Sequence, residues 1–161
     1  MSVEEKEISK KITKEDIINF EKILANTEGA EFGDTEGCPL KHNFVTGMYI
    51  REIFMPKGKL IVSKIHKVDH PYFILKGIVE VATEEGIKRI EAPYYGITPR
   101  GTKRALYIIE DTTWITVHQT FLKDLDKIEK EVIAESFDEL EKLESFENNL
   151  LEGERKNICH G

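Results

Sequence analysis

Between residues 38 and 118, apolar positions come in short runs with polar positions alternating among them. Turn-forming stretches separate these runs at 56–58, 69–71, 84–86 and 99–101. Strands are predicted over 48–55, 59–66, 72–75, 78–83, 87–92, 95–98, 103–110 and 112–118. So many short strands at this spacing fit a jelly-roll barrel of the double-stranded β-helix kind. On either side the period changes to that of a helix. Thr13 and Asp16 form a capping box ahead of a stripe of Ile17, Ile18, Phe20, Ile23 and Leu24. After His118 a second stripe runs through Leu122, Leu125, Ile128, Val132 and Ile133. A second capping box, Ser136 with Glu139, then opens a third stripe with Phe137, Leu140, Leu143 and Leu150. The expected organisation is a polar, frayed tail, a helix and a loop over 1–37, a barrel over 38–120, and a helical extension of the same domain over 121–161. The helices are expected to cover an end or edge of the barrel or to join two subunits.

The most specific stretch is Gly58 to Gly77, GKLIVSKIHKVDHPYFILKG. On its first strand Leu60, Val62, Lys64 and His66 share a parity; on its second, His70, Tyr72 and Ile74 share one. If both faces point inward, Lys64, His66 and His70 converge. His118 shares a parity with Trp114 and Thr116 and reaches the same place if its strand runs beside that of His66.

The spacing resembles the first cupin motif, G-x5-H-x-H-x3-E-x6-G. Gly58 and Gly77 are the glycines, Lys64 and His66 stand at the histidine positions, and His70 stands at the glutamate position. The second motif, P-x-G-x2-H, falls on Pro99 to Arg104, with Arg104 in the histidine position. The chain is similar to small phage- and prophage-encoded cupins from about residue 38 to 140. That resemblance implies a mainly β cupin barrel with flanking helices, whose usual metal ligands are partly replaced by basic groups.

Composition narrows the setting. A chain of 161 residues with 40% apolar residues reads as one globular domain. It contains no apolar run of membrane-spanning length, and its first residues lack a signal-peptide core, so a cytoplasmic protein is expected. Cys38 and Cys159 form no framework, and pairing them with His42 and His160 gives no zinc spacing. A net charge of −7 argues against broad nucleic-acid binding, although TPRGTKR at 98–104 is locally basic.

Two kinds of chemistry follow from these residues. Neutral imidazoles at His66, His70 and His118 suit a divalent transition metal such as zinc, iron, nickel, copper or manganese. Alternatively, the histidines hydrogen-bond one another or a ligand. Lys64 and Arg104 suit a small anionic ligand or nucleotide, with Arg100 and Lys103 at the loop mouth. Tyr72 and Trp114, together with Tyr49 and Tyr107, are candidate stacking or core groups. Glu52, Glu91 and Glu110 are candidate acid–base groups. Three functions fit: a small-molecule-binding cupin, a metal-dependent cupin enzyme of oxygenase, isomerase or hydrolase type, or a virion-associated or interaction protein. A homodimer or higher homo-oligomer is expected from the open sheet edges and apolar stripes.

Overall fold

The computed structural model describes residues 11–31 and 36–158, with side chains to 155. Most of the predicted tail, Cys159 and His160 lie outside the described residues. Helix α1, Lys14–Ala25, begins at the expected capping box: the Thr13 hydroxyl accepts from the Asp16 N–H, and the Asp16 carboxylate accepts from the Thr13 N–H. The barrel strands are β1 (Leu40–Val45), β2 (Met48–Met55), β3 (Leu60–Val62), β4 (Ile65–His66), β5 (His70–Thr83), β6 (Gly86–Glu91), β7 (Tyr94–Thr98) and β8 (Ala105–Gln119). Helix α2, Leu125–Val132, runs into a two-residue strand β9, Ile133–Ala134, and then α3, Phe137–Ile158.

Every strand pairing among the described residues is antiparallel. The main sheet has the order β1-β2-β8-β5-β6, with β3 also on β8 and β7 also on β5, while β4 pairs with β9. This is a mainly β, double-stranded β-helix barrel with flanking helices.

Several boundaries differ from the pattern in the sequence, and each has a local cause. Stretches 72–75 and 78–83 form one strand, because Gly77 bends the chain without ending the ladder. Its φ is 101°, a Cβ there would strike Thr112 and the carbonyl of Asp111, and the register shifts around it mark bulges. Likewise 103–110 and 112–118 merge into β8, with Thr112 turned in and bonded to the Glu110 carbonyl at 2.7 Å. The predicted strand 59–66 is broken at Ser63–Lys64. Strand β1 escaped notice because its outward positions, Lys41 and Asn43, dilute a short run.

The barrel interior has two ends. Met55, Ile74, Val79 and Ile108, each at most 1% exposed, fill one end with hydrocarbon. At the other end α2 packs Ile128 and Val132 on Tyr49, while Ile65, Ala134 and Leu140 fasten the start of α3. Helix α1 lies over β3, β6 and β8 and buries Ile17. No helix of the described residues is long and apolar enough to cross a membrane.

Candidate metal centre

Each of the three histidines is placed by a different strand. Strand β4 is pinned to β9, and the His66 carbonyl accepts from the Gly101 N–H at 2.9 Å, so the His66 side chain faces away from the Ile65 cluster. His70 opens β5 opposite Thr98 of β7. His118 lies opposite Tyr49 of β2 and two residues beyond the Tyr72–Thr116 pair that joins β5 to β8. The neighbour that brings His118 in is therefore the strand of His70, not that of His66 as the sequence reading has it.

Ring centroids are 4.2 Å apart for His66–His70, 4.5 Å for His70–His118 and 5.6 Å for His66–His118. One ligating atom from each lies within 4.8 Å of the others.

Burial sets the charge of this cluster. It pushes His66 down to about 2, helped by the charges of His70, His118, Arg104 and Arg51. His118 is pushed down to about 4 by burial, then by His70 and Arg51. His70 is lowered by burial as well, against a long 3.4 Å contact from its Nδ1 to the Val68 carbonyl that works the other way. All three are neutral near pH 7, the state whose lone pairs bind a metal.

His118 Nδ1, Thr98 Oγ1 and Thr116 Oγ1 are buried without a hydrogen-bond partner among the described residues. An unsatisfied buried polar atom costs about 1–3 kcal/mol, so three around one cluster point to a bound guest. Neutral nitrogens on three separate strands, one of them orphaned, fit a divalent transition metal. Such an ion would supply Lewis-acid or oxygen chemistry, three protein ligands leaving positions open. With its Nδ1 at 3.4 Å from the Val68 carbonyl, His70 would offer its other ring nitrogen to a metal.

The other candidates divide sharply. Arg104, Tyr72 and Trp114 lie inside: the Arg104 Cζ sits 4.9 Å from the Tyr72 ring centroid and 5.8 Å from that of Trp114, and the two rings stack at 4.6 Å. Lys64, expected inward, is on the rim with its side chain 55% exposed and paired with Glu129 of α2. Parity fails there because the chain leaves the ladder between β3 and β4.

Arg100 pairs with Glu144 and Glu147 of α3, and Lys103 pairs with Glu21 of α1 at 2.9 Å. These loop cations hold helices rather than a ligand. Glu52 pairs with Lys41, and Glu91 and Glu110 are exposed, so none of these acids faces the histidines. Cys38 is a free thiol against the hydrocarbon core, while the His42 Nδ1 lies 2.7 Å from the Tyr49 hydroxyl. Tyr49 is buried and stacks near His118; Tyr107 is exposed.

The sequence reading missed Arg51, which pairs across β2–β8 with Thr116 and whose charge acts on His66 and His118. Its parity with Tyr49, Ile53 and Met55 was the available signal. Thr98 and Thr116 were missed as site groups as well. The surface grooves beside α1 and beside Phe121, of about 280 and 350 Å³, are lined by none of the three histidines.

An antiparallel barrel whose Gly58–Gly77 frame carries two members of an interior histidine cluster decides the fold. It is the cupin double-stranded β-helix. No family model and no curated protein sequence matches the chain. Solved structures similar to it include proteins described as cupins. KdgF from a Halomonas species is 15% identical over 58% of this chain and 90% of that one, with a TM-score of 0.49. An RmlC-like cupin family protein from Methanocaldococcus jannaschii is 19% identical over 60% of this chain and 93% of that one, with a TM-score of 0.45. A salicylate 1,2-dioxygenase from Pseudaminobacter salicylatoxidans is 10% identical over 61% of this chain and 30% of that one, with a TM-score of 0.48. Similarity at this level conveys no activity, ligand or partner to this chain.

Proposed function

We propose that this cupin-fold chain is a metal-centred small-molecule protein, with His66, His70 and His118 holding a divalent transition metal inside the barrel. The observation that carries the reading is the convergence of three neutral imidazoles, from three strands, within 4.8 Å. The ligand is small and anionic and shares the interior with Arg104. Binding is favoured over turnover, because Glu52, Glu91 and Glu110 all lie away from the histidines and leave no identified carboxylate to move protons. Native mass spectrometry and elemental analysis of protein purified without affinity-tag nickel test it. A stoichiometric transition metal that is lost in His66→Ala supports the reading. Folded wild-type protein that takes up no zinc, iron, nickel or manganese on titration sinks it.

The same proposal includes a homo-oligomer. Exposed Phe146, Leu150 and Leu151 along α3 support it, and light scattering on the full chain decides. The phage or prophage setting and the cytoplasmic location rest on the sequence resemblance and composition alone.

A further inference from the structure

The backbone of Arg104 is locked to Ser63 by two hydrogen bonds: its N–H donates to the Ser63 hydroxyl at 2.9 Å, and its carbonyl accepts from the Ser63 N–H at 2.8 Å. From there the side chain reaches over Tyr72 and Trp114. Contact with ring faces uses the face of a guanidinium and leaves its N–H edge available to a coplanar acceptor. Among the described residues that edge has no ion pair and no hydrogen bond. A partly buried cation without a counter-ion is unfavourable, and removing its partner from a buried pair is strongly destabilising.

We infer that Arg104 is the anchor of a small monocarboxylate held beside the three histidines, an inference that rests on the small-molecule reading above and names the ligand class. The planar O–C–O group matches the guanidinium fork. Thr116, opposite Tyr72 in the ladder, and Thr98, opposite His70, add hydroxyls that lack partners among the described residues.

Charge separates this class from the nucleotide that local basicity suggests. A phosphate ester would draw on Lys64, Arg100 and Lys103 as well, yet each of these is paired with a helix carboxylate. The unpaired guanidinium of Arg104 matches one negative charge.

Trp114 is the only tryptophan in the chain, so its fluorescence reports on this site directly. The full-length protein, chelated and zinc-loaded, is titrated with acetate, benzoate, pyruvate and inorganic phosphate. At least one carboxylate should give a saturable change, tighter than phosphate. Arg104→Gln should weaken it by at least about tenfold, the loss expected for a charge-assisted hydrogen bond. Arg100→Gln should leave it unchanged. Should Arg104→Gln fail to fold by near-ultraviolet circular dichroism, Arg104→Lys keeps the charge, loses the fork and should weaken binding in the same direction.

No response to any of the three carboxylates, preference for phosphate, or wild-type affinity in the folded Arg104 variant overturns the inference. The metal reading fails separately. A protein that takes up no metal but shows an Arg104-dependent carboxylate response loses the metal centre and keeps the anchor. Metal uptake with an Arg104-independent response does the reverse.

Discussion

Lys103 and Arg104 are neighbours in the sequence and belong to different regions of the molecule. Lys103 reaches outward to Glu21 and helps hold α1, while Arg104 turns inward onto two aromatic rings. The same division runs through the other cations. Lys64, Lys67 and Arg100 meet Glu129, Glu139, Glu144 and Glu147, all from the helical extension. On the rim, positive charge fastens acidic helices over the barrel end. In the interior the Arg104 guanidinium lies on aromatic rings beside neutral histidines, with no acid paired to it among the described residues. A basic cluster in a sequence therefore does not locate an anion site; side-chain direction does, because it decides which cations the protein neutralises itself.

The division breaks most visibly at the histidines. His118→Ala removes one of the three proposed ligands and should lower metal affinity by at least about a hundredfold, more than loss of an outer-shell partner costs. Competition against a chromophoric chelator measures this. Retained affinity would mean that the interior cluster is a polar core and not a metal centre.

The seal over that interior comes next. Ile128 is 2% exposed and packs with Val132 and Tyr49, so Ile128→Ala should cost about 2–4 kcal/mol, read from urea unfolding of the metal-free protein. A cost near zero would mean that α2 does not close the barrel in solution.

A smaller effect should appear with pH. His66, His70 and His118 have depressed values in the folded state and ordinary ones, near 6.5, when unfolded. Between the folded and unfolded values the unfolded chain binds more protons, so unfolding free energy rises with pH in that window and the histidine contribution is flat above it. Stability of the metal-free protein should fall as pH drops from 6.5 toward about 4, with His66 continuing the loss below. Each histidine adds a slope of about 1.4 kcal/mol per pH unit where it is fully engaged. His118→Gln should flatten the profile over that interval, while carboxylates elsewhere affect both proteins alike. An unchanged profile would place His118 in contact with water.

Much of this was legible in the sequence because it depends on alternation. The parity of Trp114, Thr116 and His118, and that of His70 and Tyr72, survives in the ladder between β5 and β8. The capping boxes announced α1 and, through the Ser136 hydroxyl accepting from the Glu139 N–H, the start of α3. What was not legible depends on interruptions of the ladder. Gly77 reads as a terminator and acts as a bend, since its tolerance of positive φ serves a bulge as readily as a turn. Ser63–Lys64 reads as strand and is a gap, which turns Lys64 outward. Arg51 faces in from a strand whose range was predicted correctly, yet its charge made it look like surface.

The smallest expected effect tests that gap. Burial and the charge of Arg51 lower the Lys64 ammonium, yet the side chain is 55% exposed and sits on an equally solvated Glu129. Water screens such a pair, so Lys64→Ala should cost no more than about 1 kcal/mol in urea unfolding. Metal content and the carboxylate response of Trp114 should match wild type. A drop of about tenfold or more in either, equivalent to about 1.4 kcal/mol of binding, would place the Lys64 ammonium inside in solution. Lys64 would then join Arg51 and Arg104 as a cation beside the histidines, a dianion would become the better-matched ligand, and the separation of rim from interior would no longer hold.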